Sequence, residues 1–263
     1  MEVIILNTPE EVATLAAELV SKQVQDRSDS VLGMATGGTP LKTYEKIIKK
    51  NMTGTLSFAE VTTFNLDEYI GLSPEHPRSY RYFMQENLFD HIDIRPENTH
   101  IPNGLAENPI DEGPAYEAKI LAAGGIDLQI LGIGSDGHIG FNEPTSSMGS
   151  RTRVKTLTES TLEDNQRFFK AGETQPTLAI TMGIQTIMEA RHVVLLANGS
   201  GKAEAIQQTI EGPLSARCPA SILQFHEKAT VIIDEEASSK LELTDYYKRV
   251  REEQETLLAR FGD

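Results

Sequence analysis

The chain has 263 residues, with 24 lysines and arginines against 39 aspartates and glutamates, and a formal net charge of -15 at pH 7. This acidic balance argues against nucleic acids and anionic membranes as partners, because both attract basic surfaces. A single cysteine excludes an internal disulfide and an all-cysteine metal site, and no apolar run approaches the roughly 20 residues that span a bilayer. We therefore expect a cytoplasmic protein, and the start MEVIILNTPEE, which lacks a basic flank, is not typical of a signal peptide.

Short apolar runs alternate with helical patterns along the whole chain. After the first run, Val3–Leu6, the residues Thr8, Pro9 and Glu11 predict an N-cap, a proline in the first turn and a capping box. This alternation predicts an α/β fold, a doubly wound and mostly parallel Rossmann-like sheet with helices on both faces and ligands at the carboxyl ends of its strands. The further strand candidates are Val31–Met34, Val61–Leu66, Ile126–Ile133, Leu178–Thr181, Val193–Ala197 and Thr230–Ile233, and the helical stretches include Leu41–Lys50, Tyr116–Ala123 and Lys202–Ile210.

No internal repeat or flexible linker divides the chain, so we expect a single domain over residues 1–263. The charged C-terminal segment, residues 235–263, is predicted to be helical. It either docks on the domain or forms an interaction surface, and docking is the favoured interpretation.

The segment VLGMATGGTPLKTYEKI places Thr36, Gly37, Gly38 and Thr39 between a strand and a helix. Thr39 suits the N-cap and Pro40 the first helical position, and the glycines let a ligand approach the backbone closely. Because a helix N-terminus offers free N–H groups and a positive dipole end, this turn is a candidate anion site. A capped helix without a ligand is the alternative.

The segment VTTFNLDEYIGL places Asp67 and Glu68 at the end of a strand. Adjacent residues of an extended chain point to opposite sides, so at most one of these two carboxylates faces a cleft. A carboxylate in that position is a candidate base for proton abstraction, and a helix or turn cap is the alternative.

Residues 131–144, LGIGSDGHIGFNEP, have the G-x-G-x-x-G spacing of a dinucleotide-binding turn. That interpretation fails because glycines and a proline occupy the positions where the helix of such a turn would run. The loop retains Asp136, His138 and Glu143, in which two carboxylates beside one imidazole can orient the ring and raise its basicity. A solvated turn is one alternative, and a metal site is another, although no second histidine stands at zincin spacing.

The segment VVLLANGSGKAEAI ends a strand and opens a helix, as a P-loop does. It lacks the first glycine, and Ala203 replaces the serine or threonine that would hold magnesium, so we expect neither a nucleotide cofactor nor a metal. Lys202 still suits a phosphate monoester, and Arg167, by itself an ordinary surface arginine, is a candidate second cation. Together the loops favour an enzyme that acts on a phosphorylated small molecule.

The joint pattern of TGGTP, FNLDEY, GSDGHIGFNEP and SRTRVKTLT resembles the glucosamine-6-phosphate deaminase family over nearly the whole chain. That family converts glucosamine 6-phosphate and water into fructose 6-phosphate and ammonia without a metal. The resemblance implies that Asp67 moves a proton from C2 to C1, and that His138, supported by Asp136 and Glu143, assists ring opening. It further implies that the phosphate is bound by Thr36, Gly37, Gly38, Thr39, Arg167 and Lys202.

Allosteric members of this family bind N-acetylglucosamine 6-phosphate between the subunits of a hexamer, whereas other bacterial relatives work as monomers or smaller assemblies. The resemblance leaves the assembly of this chain open between monomer and homo-oligomer. A further effector contact falls on Tyr246 or Tyr247. A lid over the cleft is predicted at residues 145–175, and the basic run Arg151–Lys155 has a place in this lid as the alternative to an effector site. The other effector positions match Ser146, Arg153, Lys155 and Thr156.

Two other functions stay open at this point. A 6-phosphogluconolactonase-like hydrolase needs no base at C2, so Asp67 and the GFNEP segment speak against it. A non-catalytic sugar-phosphate sensor domain would normally carry a basic DNA-binding helix-turn-helix, whereas this chain is acidic and opens directly into a strand.

Overall fold

Ten strands form two sheets in the part of the chain that the computed structural model describes, residues 1–166, 169 and 174–261. Most of these strands are short, buried and rich in β-branched residues, as strands covered on both faces are. In chain order they are β1 (Glu2–Leu6), β2 (Val31–Met34), β3 (Thr62–Asn65), β4 (Asp67–Tyr69), β5 (Thr99–His100), β6 (Leu128–Leu131), β7 (Arg153–Thr156), β8 (Leu178–Thr181), β9 (His192–Ala197) and β10 (Ala229–Asp234).

The larger sheet has seven strands in the order β1-β10-β9-β6-β2-β3-β5, and all its neighbouring pairs among the described residues are parallel. The predicted doubly wound, mostly parallel α/β sheet is therefore confirmed. The strand order reverses between β2 and β6, because β3 and β5 follow outward on one side and β9 and β10 on the other. Ligands of such sheets bind at this switch point, outside the carboxyl ends of the strands.

Eight α-helices lie in the described residues, together with 3-10 turns at Phe89–His91, Pro96–Asn98, Ser200–Lys202 and Pro219–Phe225. The apolar sides of the long helices cover the sheet, and the core runs continuously from β1 to β5. The helices are α1 (Pro9–Asp26), α2 (Gly38–Met52), α3 (Tyr80–Asn87), α4 (Pro109–Ala122), α5 (Glu159–Gln166), α6 (Ile184–Met188), α7 (Ala203–Ile210) and α8 (Thr244–Phe261).

The first two helices begin in different ways. Thr8 is the N-cap of α1, as predicted, and its Oγ1 accepts a hydrogen bond from the Glu11 N–H group at 3.2 Å. The predicted N-cap of α2, Thr39, is wrong, because this helix begins at Gly38 and its N-cap is Gly37. A φ angle of 109° at Gly37 turns the chain into the helix earlier than a residue with a side chain would allow. No side chain caps this helix, so its first N–H groups stay available to a ligand.

The smaller sheet is antiparallel and contains β4, β8 and β7 in that order. Its register puts Asp67 opposite Thr181 and Arg153 opposite Thr181, so these three residues form one row across the sheet. The sheet begins immediately after β3, and this connection brings it to the carboxyl ends of the parallel strands. Neither β4 nor β7 was predicted, because both are short and carry charged residues.

The C-terminal helix α8 begins at Thr244, later than the start of the predicted helical segment, residues 235–263. Turns occupy residues 235–240. Tyr247 packs against the core, and its hydroxyl donates to Glu211 Oε1 at 3.2 Å, so the helix docks on the domain. Among the described residues, no helix combines the length and the apolar character that crossing a bilayer requires.

Candidate active site

A cleft of about 500 Å³ opens at the switch point, outside the carboxyl ends of β2 and β6. Its walls come from several separate segments of the chain, and the sequence alone could only place four of them, at strand ends. These four segments contribute the turn Thr36–Thr39, Asp67, His138 and Lys202. Four groups of predicted site residues therefore meet in one cavity.

The turn Thr36–Thr39 and Lys202 supply the positive potential of the cleft. The turn leads into α2, whose N-terminal N–H groups and dipole favour an anion. Lys202 ends the 3-10 turn after β9, and the charge of its ammonium group lowers the pKa of His138. The predicted second cation, Arg167, lies outside the described residues.

Asp67 contributes a carboxylate to the cleft, although the residue is only 6% exposed. Burial and the neighbouring charge of Glu68 raise the pKa of Asp67 to about 8, against the opposing effects of His138 and the Phe141 N–H group. The hydrogen bond of that N–H group goes to the hydroxyl of Thr181, at 3.0 Å. A carboxyl group with a pKa near the working pH is suited to take up and return a proton.

Glu68 points away from the cleft, as the alternation along an extended chain predicted. Its carboxylate accepts hydrogen bonds from the N–H groups of Tyr69 at 2.8 Å, Tyr80 at 3.0 Å and Arg81 at 3.0 Å. Two of these donors belong to the first turn of α3, so Glu68 caps that helix together with Ser79. The cap interpretation therefore applies to Glu68, and the base interpretation stays a prediction for Asp67.

His138 lies between two carboxylates. Its Nδ1 is 2.8 Å from Asp136 Oδ1 and 3.5 Å from Glu143 Oε2. The alignment is that of an ion pair rather than of a linear hydrogen bond. Burial lowers the pKa of His138, but the close contact and charge of Asp136, with the charge of Glu143, outweigh it and raise the pKa overall. The ring is therefore a stronger base than an ordinary histidine of the same burial.

Glu143 joins this histidine to the segment around α5. Its side chain is buried, and Oε1 accepts a hydrogen bond from the hydroxyl of Thr161 at 2.7 Å. Thr161 also lines the cleft and stands in the region of the predicted lid. A change in the position of α5 would therefore act on the carboxylate that faces His138.

Asp136, His138 and Glu143 also offer three ligand atoms that lie within 4.8 Å of one another. Oxygen and nitrogen donors at such distances can hold a cation. The same arrangement orients an imidazole for proton transfer, and the observed contacts of the three residues are with one another and with threonine. An assay in a chelator separates the two interpretations.

Only some of the residues predicted for an effector site lie on the same element. Arg153, Lys155 and Thr156 lie on β7, where alternation places the first two on one face. The guanidinium of Arg153 donates to Asn142 Oδ1 at 2.9 Å, which ties β7 to the loop that carries His138. Ser146 is buried in the loop beyond Glu143, and its hydroxyl has no hydrogen-bond partner among the described residues.

The two candidate tyrosines lie elsewhere. Both Tyr246 and Tyr247 line a second cavity at the amino ends of the parallel strands, beside His192 and Thr230. Tyr247 is bonded to Glu211 within the chain, whereas Tyr246 is 51% exposed. Within a single chain, these tyrosines and the β7 residues therefore belong to opposite ends of the sheet.

Several residues of the cleft were missed from the sequence. Tyr80 and Thr161 line it, and Asn142 and Thr181 hold its floor through buried hydrogen bonds. Their sequence neighbourhoods carry no signal, because each reaches the cleft only through strand pairing or loop packing.

Comparison with known proteins agrees with this geometry. Residues 7–232 match the family model described as glucosamine-6-phosphate isomerases/6-phosphogluconolactonase. The glucosamine-6-phosphate deaminase of Shewanella woodyi is 59% identical over 100% of this chain and 99% of its own. That of Hahella chejuensis is 60% identical over 96% of this chain and 97% of its own.

Solved structures extend the comparison. A monomeric glucosamine-6-phosphate deaminase has a TM-score of 0.89 and 46% identity, covering 91% of this chain and 99% of that one. The 6-phosphogluconolactonase of Trypanosoma cruzi has a TM-score of 0.75 at 19% identity, covering 92% and 97%, and this likeness concerns the fold alone. The chain belongs to the family of glucosamine-6-phosphate isomerases and 6-phosphogluconolactonases.

Proposed function

We propose that this chain catalyses the deaminase reaction of its family, the conversion of glucosamine 6-phosphate and water into fructose 6-phosphate and ammonia. The observation that carries the proposal is the meeting of a buried carboxyl group, Asp67, and a carboxylate-flanked imidazole, His138, in one cleft. Its full-length relatives at 59% and 60% identity are named for this reaction. We place the reaction in the cytoplasm, in the breakdown of N-acetylglucosamine and other amino sugars.

The phosphate is assigned to the turn Thr36–Thr39 and to Lys202. Helix N–H groups and one ammonium group suit a phosphate monoester, and the residues that carry them line the cleft. Fixing the phosphate there uses binding energy from a non-reacting part of the sugar to hold C1 and C2 beside the catalytic groups. The strongly acidic chain thereby captures an anion through a local field.

Ring opening is assigned to His138. The ring oxygen of the pyranose must receive a proton as the C1–O bond breaks, and the C1 hydroxyl must lose one. An imidazole whose basicity is raised by Asp136 and Glu143 can carry out both transfers near neutral pH. Asp136 and Glu143 act through His138 and are positioning residues.

The transfer of a proton from C2 to C1 is assigned to Asp67. In the free enzyme the pKa of about 8 keeps this carboxyl group largely protonated at neutral pH. The substrate brings an ammonium group on C2, and a cation beside a buried carboxyl group favours its ionised form. Binding of the amino sugar thus supplies the charge that makes Asp67 a base, which a neutral lactone would not do.

The test is production of ammonia and fructose 6-phosphate from glucosamine 6-phosphate in EDTA, with 6-phosphogluconolactone hydrolysis as the contrary assay. We expect ammonia release in EDTA and no hydrolysis of the lactone. Lactone hydrolysis without ammonia release would assign the lactonase reaction instead. Binding of the amino sugar without turnover would assign a sensor, and activity lost in EDTA and restored by a divalent cation would assign the three-ligand cluster to a metal.

A further inference from the structure

The buried hydroxyl of Thr181 lies beside the carboxylate of Asp67 and has no role in the reaction steps assigned to Asp67 and His138. Thr181 ends β8, is fully buried, and faces Asp67 directly in the antiparallel register of β4 and β8. Directly opposed residues of an antiparallel pair have neighbouring side chains on one face of the sheet. A polar side chain is costly in such a place unless its hydrogen bond serves the structure or the chemistry.

That hydrogen bond goes to the turn carrying the catalytic loop. Thr181 Oγ1 accepts from the Phe141 N–H group at 3.0 Å. The turn is pressed against both side chains: a Cβ atom at Gly140 would lie 3.0 Å from Thr181 Oγ1 and 3.3 Å from Asp67 Oδ2. Gly140 also has a φ of 56°, which favours glycine.

A second anchor restricts the turn to this place. The Asn142 amide is fully buried and donates to the carbonyl groups of Ile139 at 2.9 Å and Met182 at 2.8 Å. Because Met182 follows Thr181, the end of β8 holds the turn at two consecutive residues. The Phe141 N–H group therefore has little freedom to move, and its neighbours on this floor are the Thr181 hydroxyl and the Asp67 carboxylate.

We propose that Thr181 is a positioning residue for the reaction, whose hydroxyl shares the Phe141 N–H group with the carboxylate of Asp67 and so weakens the hydrogen bond that this carboxylate receives. The proposal rests on the role of Asp67 in the proposed function. A carboxylate that accepts a backbone N–H group becomes a weaker base, because the bond stabilises its ionised form. The Phe141 N–H group already lowers the pKa of Asp67 through a backbone hydrogen bond. Its 3.0 Å contact with Thr181 Oγ1 limits that effect.

Other titratable and charged groups act on Asp67 by their charge or line the same cleft, and they must stay unchanged in the test. They come from its own strand, from α3 and α4, and from the loops that form the cleft, and Arg153 lies beyond Thr181 in the same row. These groups are Glu68, Tyr69, Tyr80, Tyr116, His138 and Lys202. A substitution confined to the Thr181 hydroxyl leaves all of them in place.

The experiment compares the native chain with Thr181→Val, which removes the hydroxyl at nearly constant shape, and with Thr181→Ser, which keeps it. The pH dependence of kcat/KM is measured for each with glucosamine 6-phosphate. We expect the acidic limb of Thr181→Val to move to lower pH by about one unit, with a lower plateau, because Asp67 now accepts the N–H group. Thr181→Ser should keep the native midpoint.

A second readout follows Asp67 without turnover. The unfolding free energy is measured against pH for each chain with and without Asp67→Asn, and the difference isolates the titration of Asp67. The pKa of Asp67 in the folded chain lies above the unfolded value of about 4. The stabilising contribution of its protonated carboxyl group is therefore complete below about pH 4 and is lost as the pH rises. In the native chain the loss should end near the folded pKa of about 8, and in Thr181→Val about one unit lower.

If the pH at which the stability loss ends is unchanged in Thr181→Val, the hydroxyl is only structural and the proposal is overturned. If that pH moves higher, the hydroxyl stabilises the carboxylate itself, which also overturns the proposal. If Thr181→Val does not fold, Thr181→Ala against Thr181→Ser gives the same comparison of a chain without and with the hydroxyl. Should every chain lack deaminase activity, the proposed function fails, while the stability difference still decides the role of Thr181.

Discussion

Two buried aspartates lie at opposite ends of the seven-stranded sheet and have similar exposures, 6% for Asp67 and 4% for Asp127. Asp127 precedes β6 at the amino end, and its oxygens accept from the Val31 N–H group at 2.8 Å, Arg27 at 3.0 Å and Arg191 at 2.6 Å. Asp67 lies past the carboxyl end of β3, where it has no arginine partner like those of Asp127 among the described residues and shares the Phe141 N–H group with Thr181. Equal burial thus accompanies a fully paired charge at one end and a carboxyl group available for chemistry at the other.

Two histidines repeat this contrast. His138, at the carboxyl end, faces two carboxylates that raise its pKa. His192 opens β9 at the amino end, where burial, with the charges of Lys228 and His226, lowers its pKa to about 4. Its Nε2 lies 2.9 Å from the hydroxyl of Thr230, a partner that a neutral ring can satisfy. One histidine is therefore set for proton transfer, and the other stays neutral as part of the packing.

Cavity volume does not separate the two ends. The cleft at the carboxyl end measures about 500 Å³ and the cavity beside α8 about 510 Å³. What differs is the state of the polar groups. The cavity beside α8 also contains an imidazole, His192, and carboxyl groups, but of these two cavities only the cleft adds helix N–H groups and a histidine flanked by two carboxylates. The chemistry of the lining therefore identifies the site better than its size does.

The largest effect is expected for Asp67→Asn. The amide cannot accept the C2 proton, so kcat should fall by roughly 100-fold or more, the scale of a missing general base. Binding of substrate should persist, because the phosphate contacts lie elsewhere in the cleft. Ammonia release and calorimetric binding measured on the same preparation check both statements, and near-native turnover would remove Asp67 from the mechanism.

The matched substitution at the other end, Asp127→Asn, should act on stability alone. Its amide nitrogen would face donors that the carboxylate now satisfies, so we expect a loss of about 2 kcal/mol in unfolding free energy. Urea unfolding monitored by circular dichroism measures this loss, and kcat of the folded enzyme should stay native. A large fall in kcat with native stability would break the comparison between the two ends.

A third substitution, Asp136→Asn, tests the contrast between the histidines. Removing the carboxylate that pairs with Nδ1 leaves burial to dominate, so the pKa of His138 should fall. The Cε1–H resonances of labelled histidine report this shift, and that of His192 should not move. An unchanged titration of His138 would mean that Glu143 alone sets its basicity.

The sequence predicted some strands accurately and missed others. Short apolar runs predicted strands well, and Leu178–Thr181 and Val31–Met34 agree with the structure to the residue. The strand β7 was missed because nothing local favours it, and it forms through pairing with β8. Thr39 was misplaced as an N-cap because the conformation of Gly37 is set by the turn it must close.

The site residues divide in the same way, between those that local sequence predicts and those that depend on strand pairing. Alternation along the strand separated Asp67 from Glu68 correctly, since that argument needs only neighbouring residues. Thr181 and Asn142 could not be found in this way, because their roles depend on the register between β4 and β8 and on the turn packed above it.

The smallest effect is expected for N-acetylglucosamine 6-phosphate. The positions that resemble an effector site divide between β7 at the carboxyl end of the sheet and Tyr246 at its amino end, so one chain cannot complete the site. In a monomer we therefore expect less than about a twofold change in kcat/KM on adding this sugar at concentrations that do not compete with substrate. Light scattering and kinetics at matched protein concentrations check this expectation. An activation that grows with protein concentration and disappears in Tyr246→Phe would instead show that a second copy joins the two ends, because only a neighbouring chain can bring Tyr246 to β7.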